Sequence, residues 1–224
     1  MTGPLCAAAV AGYFLGSLPF GFLVARSRGV NIFEVGSRSP GATNVRRVLG
    51  KGPGNTVFVL DMLKGAVAAG WPLAWFYLAA ARQLADARTA VLYVTRWDIV
   101  GYVGLAFAIV GHSFSCFTRF RGGKGVATAA GGLLVLMPYV ALVSAAIWVV
   151  VFYATRYVSL ASILAALSLP VLALLFHGGT IALWVTMLVA LFVIVRHRAN
   201  VGRLLGGTER KFERKKPGEE PAVE

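Results

Sequence analysis

Three short stretches of this 224-residue chain mix glycines with cations in a way suited to holding phosphate. The first runs Val35-Gly-Ser-Arg-Ser-Pro-Gly-Ala-Thr-Asn-Val-Arg-Arg-Val-Leu-Gly50. Its glycines let backbone N–H groups approach an anion, and arginine supplies a forked donor for phosphate. Its hydroxyls and amide, Thr43 and Asn44 among them, and its arginines are candidate binding groups. The second, Gly111 to Thr128, contains Gly122-Gly123-Lys124-Gly125 just before an apolar run. A helix starting there presents unpaired N–H groups and a partial positive charge, and Lys124 adds a full one. The Walker spacing of Gly-x4-Gly-Lys-Ser/Thr is absent. The third, Arg196-His-Arg-Ala-Asn-Val-Gly-Arg203, sets His197 and Asn200 three residues apart, on one face of a helix. Each stretch also has a plainer explanation, as a polar loop or basic cluster that fixes membrane orientation.

Asp61 and Lys64 lie three residues apart inside an apolar segment. Ionisable groups at that depth are costly, and are either paired or functional. They form a structural ion pair, or Lys64 reaches the anion site. His112 adjoins the glycine loop and could orient it, while His177 beside a Gly-Gly turn reads as surface. Cys6 and Cys116 make neither a disulfide framework nor metal spacing. No Ser–His–Asp, Cys–His or paired-carboxylate arrangement stands out, and no metal or cofactor is expected. The chemistry therefore suits an already activated substrate, with catalysis by positioning and charge stabilisation.

The elements that must carry these loops are membrane helices. Of the residues, 58% are hydrophobic and 14% charged, with a mean hydropathy of +0.73. Soluble domains are about 45–50% apolar and about 25% charged. Apolar segments fall near residues 4–25, 55–80, 99–116, 125–137, 138–154, 158–176 and 180–195. The fourth is short, and Met137-Pro138 could make it and the fifth one kinked span. Charge decides between six spans and seven. With seven and an external N-terminus, 18 of the basic residues face the cytoplasm, leaving Arg82, Arg88 and Arg96 outside. The net charge of +13 is thus assigned to topology, anion sites and anionic lipid, not to nucleic acid. The expected fold is all-α, a polytopic transmembrane bundle of seven spans with a cytoplasmic C-terminus. Residues 1–207 form a single domain and residues 208–224 a charged, flexible tail. The absence of Lys or Arg before Arg26 argues for a retained first helix rather than a cleaved signal.

Gly16-Ser-Leu-Pro-Phe-Gly21, the Gly36–Gly50 loop, Leu60-Asp-Met-Leu-Lys-Gly65, the Gly111–Thr128 segment, Arg156-Tyr-Val-Ser159 and Arg196-His-Arg-Ala-Asn200 with Glu209 beyond together resemble the PlsY family of bacterial acyl-phosphate-dependent glycerol-3-phosphate acyltransferases. The resemblance covers roughly residues 11–212. Ser39 stands where the family commonly has Asn, and Ser115 where it commonly has Pro. The resemblance implies fatty acyl transfer from acyl phosphate to the 1-hydroxyl of glycerol-3-phosphate, giving lysophosphatidic acid and phosphate. It places this at the cytoplasmic face of the bacterial inner membrane, with no obligate protein partner. It further implies that Ser37 and Arg47 serve the substrate site, that Gly122, Gly123, Lys124 and Gly125 form the phosphate-binding loop, and that His197 and Asn200 serve glycerol-3-phosphate binding and catalysis. Glu209 takes a structural role. Direct attack by the glycerol hydroxyl, with His197 or the substrate phosphate as base, is the expected mechanism. The competing classes are an organophosphate transporter and a lipid-phosphate phosphatase. The enzyme reading requires Arg47, Lys124 and His197 to share one pocket.

Overall fold

The computed structural model describes residues 2–83, 87–178 and 181–212, with side chains described outside 76–97. Among the described residues every regular element is helical. The α-helices are α1 (Thr2–Ser17), α2 (Phe20–Arg26), α3 (Ala42–Leu49), α4 (Lys51–Gln83), α5 (Ala87–Ser113), α6 (Val126–Leu136), α7 (Pro138–Thr155), α8 (Val158–His177), α9 (Ile181–Arg196) and α10 (Arg198–Leu205). Among the described residues, five helical stretches are long and apolar enough to cross a bilayer: Thr2–Arg26, Lys51–Trp75, Asp98–Thr118, Pro138–Thr155 and Val158–His177. A sixth forms if α9 and α10, bent by 60°, are one broken span. The expected short fourth segment is α6, with 11 residues. At 1.5 Å per residue it is about 16 Å long, roughly half the hydrocarbon thickness.

Proline sets two of the breaks. Met137 precedes Pro138 and takes an extended φ of −142°, because the proline ring disfavours the helical region for its predecessor. That ends α6 and starts α7 as a separate element. Pro19 likewise divides the first apolar segment into α1 and α2, since proline has no N–H to continue the ladder.

The chain forms two compact units, residues 1–19 with 59–138, and residues 20–58 with 139–224. In the first, α1 packs on α5 through small residues. A Cβ on Gly12 would overlap the Gly104 carbonyl, and one on Gly16 the Ala108 carbonyl. α4 meets α6 in the same way, Gly65 against the Thr128 carbonyl and Gly131 against the Met62 carbonyl. Such backbone approach drives helix association where lipid offers no hydrophobic effect. Ser115 donates to the Ser17 carbonyl at 2.6 Å, tying the loop after α5 to the end of α1.

In the second unit, α7 and α8 are joined by polar contacts within the apolar zone. Ser144 Oγ donates to the Ala165 carbonyl at 2.8 Å, and Trp148 Nε1 to Ser162 Oγ at 3.1 Å. Ala25, Ile32, Val45 and Val57 make a small core beneath the first basic loop. Large apolar side chains such as Val150, Leu175 and Leu188 point outward, as a lipid-facing surface requires.

Candidate functional site

Among the described residues, each unit carries a cationic cluster. In the second unit, Gly36 and Arg38 both adopt left-handed backbone, φ 61° and 55°. A Cβ at Gly36 would also run into Asn44 Oδ1, so the turn needs glycine on two counts. Asn44, 2% exposed, accepts from the Ser37 N–H at 2.8 Å. It donates to the carbonyls of Val35 at 3.2 Å and Ser39 at 3.0 Å. The Asn44 amide braces the loop that holds Ser37 out to solvent, and Thr43 sits half-buried in the first turn of α3.

Arg47, exposed on α3, donates from Nη2 to the Arg210 carbonyl at 3.2 Å. Partial desolvation lowers its pKa, Glu209 opposes that, and Arg210 and Arg203 lower it further. It remains a full cation in a field that a bound anion would relieve. Its neighbour Arg46 lies 4.9 Å over the Phe212 ring.

His197 stands at the 60° bend between α9 and α10 and is 3% exposed. Its Nδ1 lies 2.8 Å from the Val193 carbonyl. A carbonyl only accepts, so Nδ1 carries the proton and Nε2 is the basic nitrogen of the neutral ring. One turn on, Asn200 donates to Glu209 Oε1 at 2.6 Å. Glu209 also accepts from Ser159 Oγ at 2.7 Å and from Arg203 Nε at 2.7 Å. Burial raises the pKa of this carboxyl, but the bonds from Ser159, Asn200 and Arg203 outweigh it and hold Glu209 below the usual carboxylate range.

The segment 209–212, assigned from sequence to the tail, is therefore tied to the body. Glu209 and Arg210 grip α10, α8 and α3, and the Phe212 N–H donates to the Arg156 carbonyl at 2.8 Å. Residues 213–224 lie outside the described residues. Sequence reasoning missed Ser159 as a partner of Glu209, and the Arg210 and Phe212 contacts. The Arg156-Tyr-Val-Ser159 run was the available signal, a basic turn opening a helix with a hydroxyl.

In the first unit, Arg119 and Phe120 are left-handed, φ 52° and 59°, and lead into Gly122-Gly123-Lys124-Gly125. Gly125, φ 80°, is the N-cap of α6, leaving the first N–H groups of that helix directed into the loop. The Gly123 N–H donates to the His112 carbonyl at 3.1 Å, and Lys124 is half-buried. Behind the loop, Asp61 Oδ1 lies 2.8 Å from Lys64 Nζ and 3.5 Å from His112 Nδ1. Lys64, 5% exposed, also donates to the Leu18 carbonyl at 2.9 Å. These contacts put Lys64 in a buried ion pair with Asp61. Among the described residues no group of three or more His, Cys, Asp or Glu is arranged to hold a metal.

Apolar helices of spanning length, a glycine loop capping a helix and a second arginine-histidine cluster define an integral membrane protein that handles anionic substrates. The family model for glycerol-3-phosphate acyltransferase matches residues 6–207. A glycerol-3-phosphate acyltransferase of Fusobacterium nucleatum is 41% identical over 91% of this chain and 95% of its own. One of Aquifex aeolicus is 38% identical over 91% and 96%. The crystal structure of PlsY (YgiH), an integral membrane glycerol 3-phosphate acyltransferase, in its glycerol 3-phosphate form superposes with a TM-score of 0.79 at 36% identity, covering 93% of this chain and 96% of that one. The lysophosphatidic acid form of that protein gives 0.76 at 37% identity, over 93% and 95%. The chain belongs to the glycerol-3-phosphate acyltransferase family.

Proposed function

We propose that this protein transfers a fatty acyl group from acyl phosphate to the 1-hydroxyl of glycerol-3-phosphate, releasing lysophosphatidic acid and inorganic phosphate. The observation that supports the reading is the placement of His197, buried at the bend between α9 and α10 one turn before Asn200. With Nδ1 bonded to the Val193 carbonyl, Nε2 is the ring nitrogen proposed to take up the proton, in the cluster that also holds Asn200 and Arg47. The same kind of reaction is named for the relatives, and one solved neighbour is described with glycerol 3-phosphate and with lysophosphatidic acid.

Acyl phosphate is a mixed anhydride, so its carbonyl is activated and phosphate is a good leaving group. The glycerol oxygen forms the new ester bond to the acyl carbon, and the bond from that carbon to the bridging phosphate oxygen breaks. The hydroxyl proton passes to His197 Nε2 or to a phosphate oxygen of the substrates. No enzyme nucleophile takes part. Each phosphate-bearing substrate needs compensating charge, which Arg47 supplies in the second unit and Lys124 with the Gly122, Gly123 and Gly125 backbone supplies in the first. Ser37 supplies a hydroxyl from the first loop.

The topology proposed is seven crossings of the bacterial inner membrane, with the N-terminus outside and both clusters on the cytoplasmic side. The distribution of basic residues supports it, α6 being the short member, with irregular backbone before it shielded by protein.

The test is an assay of the purified protein with acyl phosphate, acyl-CoA and acyl carrier protein thioester as alternative donors. Lysophosphatidic acid is expected from acyl phosphate alone, with no acylated protein by mass spectrometry. A covalent acyl-protein adduct competent for transfer would overturn direct attack. Phosphate release without glycerol-3-phosphate would indicate a phosphatase, and glycerol-3-phosphate uptake into proteoliposomes without acylation a transporter.

A further inference from the structure

We infer that Asp61 and His112 are positioning residues that set the height and grip of the glycine loop Gly122–Gly125. The inference rests on the proposed role of that loop in holding phosphate.

Asp61 is 2% exposed and His112 9% exposed, on helices otherwise apolar at that level. A carboxylate so buried must be matched by a cation and hydrogen-bond donors. Lys64 Nζ and His112 Nδ1 both approach the same oxygen, Oδ1, at 2.8 and 3.5 Å. Lys64 is in turn fixed to the Leu18 carbonyl at 2.9 Å, at the break where α1 stops before Pro19. The carboxylate is thereby rooted in two helices, and it holds one edge of the imidazole.

The other edge faces the loop. A Cβ built on Gly123 would fall on His112 Nε2, with Cε1 at 2.9 Å and Cδ2 at 3.2 Å. A Cβ on Gly122 would overlap the His112 carbonyl, and Gly123 donates to that same carbonyl at 3.1 Å. The two glycines lie flat on one residue, ring and backbone together. Glycine is required at 122 and 123 for this approach, since neither has the left-handed φ of Gly125. An unanchored ring would let the loop, and Lys124 with it, shift. A filler role would be met by an apolar side chain without burying three ionisable groups.

The test uses the full-length protein in detergent, with two readouts: the rise in melting temperature produced by inorganic phosphate, and kcat and KM for both substrates. His112→Asn keeps an amide toward Asp61 but withdraws from the loop, and His112→Gln returns an amide to the Nε2 position. Displacing a binding group by about 1 Å costs on the order of 100-fold. His112→Asn is expected to lose the phosphate-induced shift and about 100-fold in kcat/KM, mainly through KM. His112→Gln should recover at least a tenth of wild-type kcat/KM. Gly123→Ala, which forces the ring aside, should match His112→Asn. Because Asp61→Asn leaves Lys64 unmatched and could prevent folding, the charge-free pair Asp61→Asn with Lys64→Met is the anchor test. It should fold and lose the phosphate shift. Near-wild-type phosphate binding in His112→Asn, or equal losses in the Asn and Gln variants, would overturn the inference. If wild type binds phosphate but does not acylate glycerol-3-phosphate, the proposed function fails while the phosphate readout still decides the positioning role.

Discussion

At the scale of single residues, Arg47, Lys124 and Glu209 make separable predictions. Arg47→Ala and Lys124→Ala each remove a full charge that the proposed reaction uses to hold phosphate. Each is expected to lose at least about 100-fold in kcat/KM with acyl phosphate as donor, the magnitude typical of losing one strong electrostatic contact to a developing charge. Arg47→Lys should not restore activity, because a point charge cannot replace a forked donor already tied to the Arg210 carbonyl. Wild-type rates in both alanine variants would remove these residues from the site. Glu209 is tested by pH. Its folded pKa lies below the ordinary 4.5, so the ionised form is the one the fold prefers. The stability it contributes is fully present above 4.5 and is lost as pH falls through the depressed folded value. Glu209→Gln should therefore melt lower than wild type near neutral pH, with the gap closing under acid. A gap that stays constant between about pH 7 and pH 3 would contradict this linkage.

At the scale of helices, close backbone approach is the testable feature. Gly131 admits the Met62 carbonyl and Gly65 the Thr128 carbonyl, so Gly131→Val should push α4 and α6 apart. A cost of about 1–3 kcal/mol is expected, typical of overpacking, read as a lowered melting temperature in detergent together with reduced activity, since α6 carries the loop. The helices themselves were largely legible in the chain, because most apolar runs are long and charged, glycine or proline breaks separate them. Less legible was the division at Leu18-Pro19 inside one apolar run, and so was α3, whose polar residues read as a loop. α4 begins at Lys51, ahead of the apolar run at 55, because Gly52 and Pro53 occupy a first turn that needs no donated N–H. The candidate site divides in the same way. Gly122–Gly125 and the His197–Asn200 pair are local in sequence and could be read from spacing. The bonds from Ser159 and Asn200 to Glu209, and from Arg47 to Arg210, join residues up to 163 positions apart. Nothing in either partner's neighbourhood announces such a bond.

At the scale of the whole molecule, the prediction is sidedness. In a background with Cys6 and Cys116 replaced by serine, Arg28→Cys and Arg203→Cys should react with a membrane-impermeant maleimide only from the cytoplasmic side, and Gly178→Cys only from outside. Labelling of Arg28→Cys and Arg203→Cys from opposite sides would require an even number of crossings and undo the seven-span proposal. Five described helices are of spanning length, and a sixth arises from the bent α9–α10 pair. The crossing assigned to α6 therefore depends on non-helical chain at membrane depth, which labelling can report directly.

The clasp formed by Glu209, Arg210 and Phe212 carries a temporal consequence. A polypeptide emerging from the ribosome completes its early segments first, so every helix here is made and available for insertion before the clasp exists. Under the proposed reaction, a nascent bundle halted at residue 207 would be fully embedded and yet idle, its Asn200 unsteadied and its Arg47 unmoored. Catalytic competence would arrive abruptly, within the synthesis of a handful of residues, rather than accumulating as the bundle grows.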